Sequence, residues 1–177
     1  MNRTPPKSKT PALVIVLIVA AVLGGVVVIG GVLFSLATVG MARYLANAKT
    51  AEARNAVGVI ARSIAQESMR EQAIERGTTE AITLRSFPPV PADVQHGRKY
   101  LSAPSDWAPW KAIKFEMNVP QYYQYEVRAA ADGQSAEVIA RGDLDGDGRT
   151  SLFSLKVLVE NGGVVVAPTI DETDPDE

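Results

Sequence analysis

The sequence predicts an α+β protein: a long N-terminal helix, membrane-spanning in its first half and amphipathic in its second, packed on a small antiparallel β-sheet. Three observations carry this expectation. No charged residue lies between Lys9 and Arg43. A one-sided apolar stripe follows, with no proline between Ala12 and Ala81. Short alternating segments bounded by turn residues then fill the C-terminal half.

Taken in order, residues 1–11 read as a cytoplasmic tail carrying Arg3, Lys7, Lys9 and the free amine. Residues 12–42 read as a transmembrane helix. Crossing the hydrocarbon core takes about 20 apolar residues, and this run is longer. A secretory signal has an apolar region of roughly 7–15 residues followed by a small-residue cleavage site, so an uncleaved single-pass anchor fits better. The far side carries Arg43, Lys49 and Arg54, offset by Glu52. The compact positive tail favours leaving the N-terminus in the cytoplasm and the larger C-terminal part outside. Gly24-Gly25 and Gly30-Gly31 permit close helix packing, or simply reflect the frequency of glycine in membrane helices.

Residues 43–76 read as an amphipathic helix continuing into an ectodomain. Ala53, Val57, Ile60 and Ile64 recur at i, i+4, i+7 and i+11, one face of a helix. Arg54, Arg62, Gln66 and Arg70 fall largely off that face, and Gly77, followed by Thr78 and Thr79, is a helix stop signal. Lys49 and Glu52, three apart, suggest a minor surface pair. Residues 77–112 read as a Pro-rich loop, with Pro88, Pro89, Pro91, Pro104 and Pro109. Trp107, Trp110 and Tyr100 are the side chains expected to pin it, and packing cover is preferred over a recognition surface.

Residues 113–169 read as an antiparallel sheet. Its strands are expected over 113–118, 122–129, 135–142 and 151–159, with a last edge strand over 162–168. Tyr123, Tyr125, Val127 and Ala129 share one face of the second. Phe153, Leu155, Val157 and Val159 oppose Ser154 and Lys156 in the fourth. One sheet face should bury against the Ala53, Val57, Ile60, Ile64 stripe. The end, 170–177, reads as an acidic disordered tail.

The stretch KTAEARNAVGVI, residues 49–60, resembles the helix of type IV pilins and of the pseudopilins of type II secretion, which often reads K-x-S-E-A-K-x-x-L-G-x-I. Lys49, Glu52, Ala53, Gly58 and Ile60 match outright; Ala51, Arg54 and Val57 are conservative replacements. A second stretch, from Trp110 to Phe153, resembles pilin-like proteins of the myxobacterial type, with an aromatic strand before a GDLDGDG hairpin. The family's cleavage glycine falls at Leu17, its assembly glutamate at Val22 and its helix-kinking proline at Val39. No acidic residue precedes Arg43. The resemblance therefore implies an uncut, pilin-like protein of a bacterial inner membrane, its C-terminal domain in the periplasm or at the cell surface. The partners it implies are the membrane and other pilin-like subunits or envelope assembly proteins. Relatives with ectodomain cysteines have no counterpart here.

Asp143, Asp145 and Asp147 stand at positions 1, 3 and 5 of a calcium-type loop, with Gly148 at position 6. Alternate carboxylates converge on one cation in such loops, and the glycine allows the sharp turn. Position 12, where a bidentate Glu belongs, is Ser154. The alternatives are a polar hairpin turn and a weak or partial calcium loop; no other cofactor is indicated. His96 reads as a solvated loop histidine. With net charge -2, no cysteine and one histidine, nucleic-acid binding, disulfides and thiolate or two-histidine metal sites are excluded. No nucleophile–base set is visible, so a non-enzymatic role is expected.

Overall fold

The computed structural model describes residues 12–74 and 81–175. The tail 1–11 and the stop at Gly77, Thr78 and Thr79 lie outside the described residues. The chain forms two compact units, Met1–Tyr44 and Leu45–Glu177. Helix α1 is assigned over Ala12–Ile74, so it contributes to both.

In the first unit, the helical stretch Val14–Leu36 is 23 residues of apolar side chains, none of them buried. Added Cβ atoms at Gly24, Gly25, Gly30 and Gly31 would meet nothing within 4 Å. No packing within the chain requires those glycines.

The second unit is an antiparallel meander in the order β1 (Phe87–Val90), β2 (Gln124–Ala129), β3 (Ser135–Gly142), β4 (Ser151–Glu160) and β5 (Gly163–Val166). A further strand, β6 (Asp171–Thr173), also pairs with β4. Ser154 pairs with Asp171 and Val157 with Val166. Over that interval β4 advances three residues and its partner five, so β5 and β6 are one edge interrupted by a bulge.

The inner sheet face carries Tyr125, Val127, Val138, Ala140, Phe153, Leu155 and Val157, all buried. The helix meets it with Ala53, Val57 and Ile60 at 0% exposure and Ile64 at 4%, the stripe expected from the sequence. Ala56 and Ala61 are buried with them. The outer face is polar, as period-2 alternation requires. On it, Arg128 and Arg141 both pair with Glu126, at 2.8 and 2.7 Å.

Three expectations are corrected. The Pro-rich segment is not all loop, because Phe87–Val90 forms β1. Prolines are tolerated there because β1 is an edge strand, where outward N–H groups are not needed. Residues 113–118 are not a strand. Pro109–Ile113 is a 3-10 turn closed by Lys114 in the left-handed region, φ 53°. Ile113 and Phe115 alternate as in a strand, but they turn inward with Trp110 to form an aromatic corner. The sheet therefore runs from Phe87 to Thr173 rather than over 113–169. Nor is the acidic end disordered from residue 170: Asp171–Thr173 is β6, and Glu172 pairs with Arg54 at 2.7 Å. Asp176 and Glu177 lie outside the described residues.

Ile60→Ala should destabilise the folded unit by about 2–5 kcal/mol, since it opens a cavity in a closed core. Val59→Ala, on the exposed side of the same helical turn, should change stability by less than about 0.5 kcal/mol. Urea unfolding followed by tryptophan emission reads both.

Candidate functional site

The segment 49–60, which carries the pilin resemblance, is where α1 is tied to the domain. Lys49 does not pair with Glu52 as the spacing suggested. Its ammonium donates to the Leu144 carbonyl at 2.9 Å and lies 4.9 Å from the Tyr122 ring centroid. Thr50, 1% exposed, donates to the Pro175 carbonyl at 3.1 Å. Glu52 accepts from the Tyr122 amide at 2.8 Å and the Tyr125 hydroxyl at 3.2 Å. Arg54 makes a two-pronged bond to Glu172, at 2.7 and 2.8 Å. Four successive polar residues thus reach four separate pieces of the ectodomain. Burial, and then the neighbouring Glu52 carboxylate, push the Tyr125 phenol well above its ordinary value, so it stays a donor. Bonding to Arg54 holds the Glu172 carboxyl below the usual range.

A second tie holds the other end of the packed helix. Glu67, 8% exposed, takes Arg70 at 2.6 Å and Lys114 at 2.7 Å. Those bonds, led by Lys114, hold its carboxyl below the usual range against the opposing effect of burial. Neither tie was singled out from the sequence. Charged side chains at helix spacing ordinarily read as a solvated face, and their partners lie dozens of residues away.

The Asp loop sits where the chain enters this unit, beside Lys49. Ligand atoms of Asp143, Asp145 and Asp147 lie within 4.8 Å of one another. Asp143 is buried and its carboxylate organises the loop. Oδ1 accepts from the Gly146 amide at 2.6 Å, and Oδ2 accepts from Gly148 at 2.9 Å and contacts His96 Nδ1 at 2.6 Å. Asp145 and Asp147 are exposed, and each accepts from the amide two residues on, at 3.1 and 2.7 Å. Gly146 and Gly148 have φ of 85° and 94°, values that L side chains rarely adopt. Ser154, at the twelfth position, is fixed in the β4 ladder opposite Ile139 and Asp171. The loop is a turn whose carboxylates converge as a cation would require, and whose buried carboxylate is occupied by backbone amides. His96 is exposed, as expected, yet bonded to Asp143.

Burial raises the Asp143 carboxyl, but the His96 contact and the two glycine amides outweigh it and hold it below the usual value. Trp107 and Trp110 are fully buried, with Trp110 Nε1 donating to the Pro88 carbonyl at 3.0 Å. They pin the proline segment; Tyr100, 40% exposed, does not. Compared with protein-family models, curated proteins and solved structures, the chain matches none.

A carboxyl whose folded value is depressed stabilises the protein above its unfolded value, and that contribution is lost as pH falls through the folded one. Asp143→Asn should therefore cost about 1–3 kcal/mol at neutral pH. The gap should close as pH falls below the ordinary aspartate value of about 3.9. Unfolding measured across pH checks this, and a gap independent of pH would contradict the Asp143 role. For the loop as a whole, Tb³⁺ titration should give no saturable luminescence at millimolar metal. A saturable signal that calcium displaces would instead establish cation binding.

Proposed function

We propose that this chain is a membrane-anchored, non-enzymatic, pilin-like structural subunit of a bacterial envelope system of the type IV pilus or type II secretion kind. One observation carries the reading. A fully exposed apolar stretch long enough to cross a bilayer, Val14–Leu36, precedes in the same helix the segment 49–60, whose pilin-like residues bind the helix to a small sheet. That segment supports the reading because its polar positions each have a definite task in holding helix and ectodomain together. The proposed partners are the membrane and other pilin-like or envelope assembly proteins. The proposed location is the inner membrane, with the C-terminal domain in the periplasm or at the cell surface.

A second reading is favoured by a specific observation: no acidic residue precedes Arg43, and Leu17 and Val22 occupy the places of the family's cleavage glycine and assembly glutamate. On that reading the protein stays uncleaved in the inner membrane as a single-pass protein, and its periplasmic domain acts as a binding module. Both readings share the anchor and the fold; they differ in what the anchor does.

The intact mass of protein taken from native membranes, measured alongside sheared surface filaments, separates them. The structural-subunit reading expects the chain in the filament fraction. Full-length chain confined to the membrane, never in filaments, would overturn it in favour of the binding module.

A further inference from the structure

At the end where the chain enters the second unit, three loop segments gather around the first turns of the packed helix. Tyr100 and Gln121 exchange two backbone hydrogen bonds, of 2.8 and 2.9 Å. Lys99, like Lys49, places its ammonium 4.9 Å from the Tyr122 ring centroid. The Gly97 amide donates to the Asp143 carbonyl at 2.8 Å. Beneath this hairpin Gln121 is fully buried, its side-chain amide donating to the Val90 and Tyr123 carbonyls at 3.1 and 2.9 Å. The hairpin is therefore firmly seated. Yet it shows apolar surface outward: Leu101 is 57% exposed, Val119 59% and Tyr100 40%. Apolar side chains gathered on a fixed hairpin mark a contact surface rather than incidental exposure.

We infer that Tyr100, Leu101 and Val119 form an apolar foot that rests on the phospholipid interface. This builds on the membrane-anchor reading. If Val14–Leu36 crosses the bilayer, eight residues, 37–44, connect its end to Leu45, the first residue of the folded unit. A connection of that length reaches at most about 29 Å even when fully extended. The entry end of the unit therefore stays near the membrane surface, and the foot is on that end. Tyrosine suits the headgroup level, where its ring meets acyl chains and its hydroxyl stays wet. Exposed charges nearby are of both signs, Arg98 and Lys99 against Asp145 and Asp147. The contact is therefore apolar in origin and does not depend on anionic lipid.

The chain has no cysteine, so single cysteines can report each position in the full-length protein reconstituted in phosphatidylcholine vesicles. Leu101→Cys, Val119→Cys, Val28→Cys and Val165→Cys would each carry an NBD label, with doxyl-labelled lipid as quencher. Val165 is exposed and pairs with Leu158, seven residues along β4 from Ser151, or about 23 Å; it serves as the distal control. Unchanged Trp107 and Trp110 emission certifies folding, and Tyr100→Cys replaces any variant that fails. The expected result is blue-shifted, doxyl-quenched emission at 101 and 119 as well as 28, with water-like emission at 165, unaltered by added phosphatidylglycerol. Quenching at 28 with water-like emission at 101 and 119 overturns the foot and leaves the anchor standing. A water-like label at 28 overturns the anchor and the foot with it. A blue shift at 101 and 119 without quenching means a second protein surface covers them, which also overturns the proposal. So does quenching seen only with anionic lipid.

Discussion

The ectodomain depends on one seam, where a helix face of small and branched residues meets a sheet face of large aromatic ones. Ala53, Ala56 and Ala61 leave space on α1, and Tyr123, Tyr125 and Phe153 fill it from the sheet, all of them buried. Tyr123 and Phe153 meet edge to face at 5.7 Å, an arrangement favourable beyond simple burial. A larger residue at an alanine position would force strain, typically about 1–3 kcal/mol in a filled core. A short meander has no second sheet to cover its inner face, so without the helix that face would lie open to water. The polar ties at the two ends of the packed helix follow from the same seam. A cylinder on a sheet can rotate about its axis, and bonds from Glu52 and Arg54 at one end and Glu67 at the other select the rotation that buries the stripe.

The proline-rich cover obeys a complementary rule. Pro88, Pro89 and Pro91 supply carbonyls but no amide donors. Buried acceptors must still be satisfied. The donors come from side chains elsewhere: Trp110 Nε1 to Pro88, Gln121 to Val90, and Gln124 to Pro91 and Ala92 at 3.1 and 2.8 Å. This explains why two glutamines, at 0% and 7% exposure, sit among aromatic residues at the start of β2. Alternation in the sequence marks Gln124 as facing away from Tyr125, yet the cover folded over that face buries it. The Asp143 loop repeats the logic with the signs reversed, one buried carboxylate collecting amides that a tight turn leaves without partners.

Periodicity made the helix stripe and β3 legible. Both signals are local, because a face of a helix or strand declares itself within a dozen residues. The convergence of Asp143, Asp145 and Asp147 was legible for the same reason. What periodicity misread was set by distant contacts. Phe87–Val90 reads as a loop because its prolines argue against a strand, and only its edge position permits them. Ile113, Phe115 and Met117 imitate a strand because an irregular corner can also place alternate residues inward. Asp171–Thr173 is acidic and reads as solvated; its pairing with β4 and the bond from Arg54 make it a strand. Lys49 and Glu52 look like partners at helix spacing, but each finds a stronger or more buried partner across the domain.

The apolar stretch poses a separate problem that the ectodomain does not solve. Burying one Val, Leu or Ile side chain is worth roughly 1.5–3 kcal/mol. None of the side chains along Val14–Leu36 is covered by the rest of the chain. Summed over that length, exposure to water would outweigh the roughly 5–15 kcal/mol that holds a typical domain together. Lipid or other apolar helices must therefore cover it. A helix of 23 residues measures about 35 Å, against a hydrocarbon core of about 30 Å, a match that modest tilt absorbs. The absence of any acidic residue before Arg43 then has a mechanical consequence. Inside lipid a carboxylate is costly unless paired, so it directs association by demanding a partner. A helix without one has only close packing to draw it to its neighbours, and glycines with open space at their Cβ positions are where such packing would come nearest. Any assembly of this chain through its anchor therefore rests on shape rather than charge.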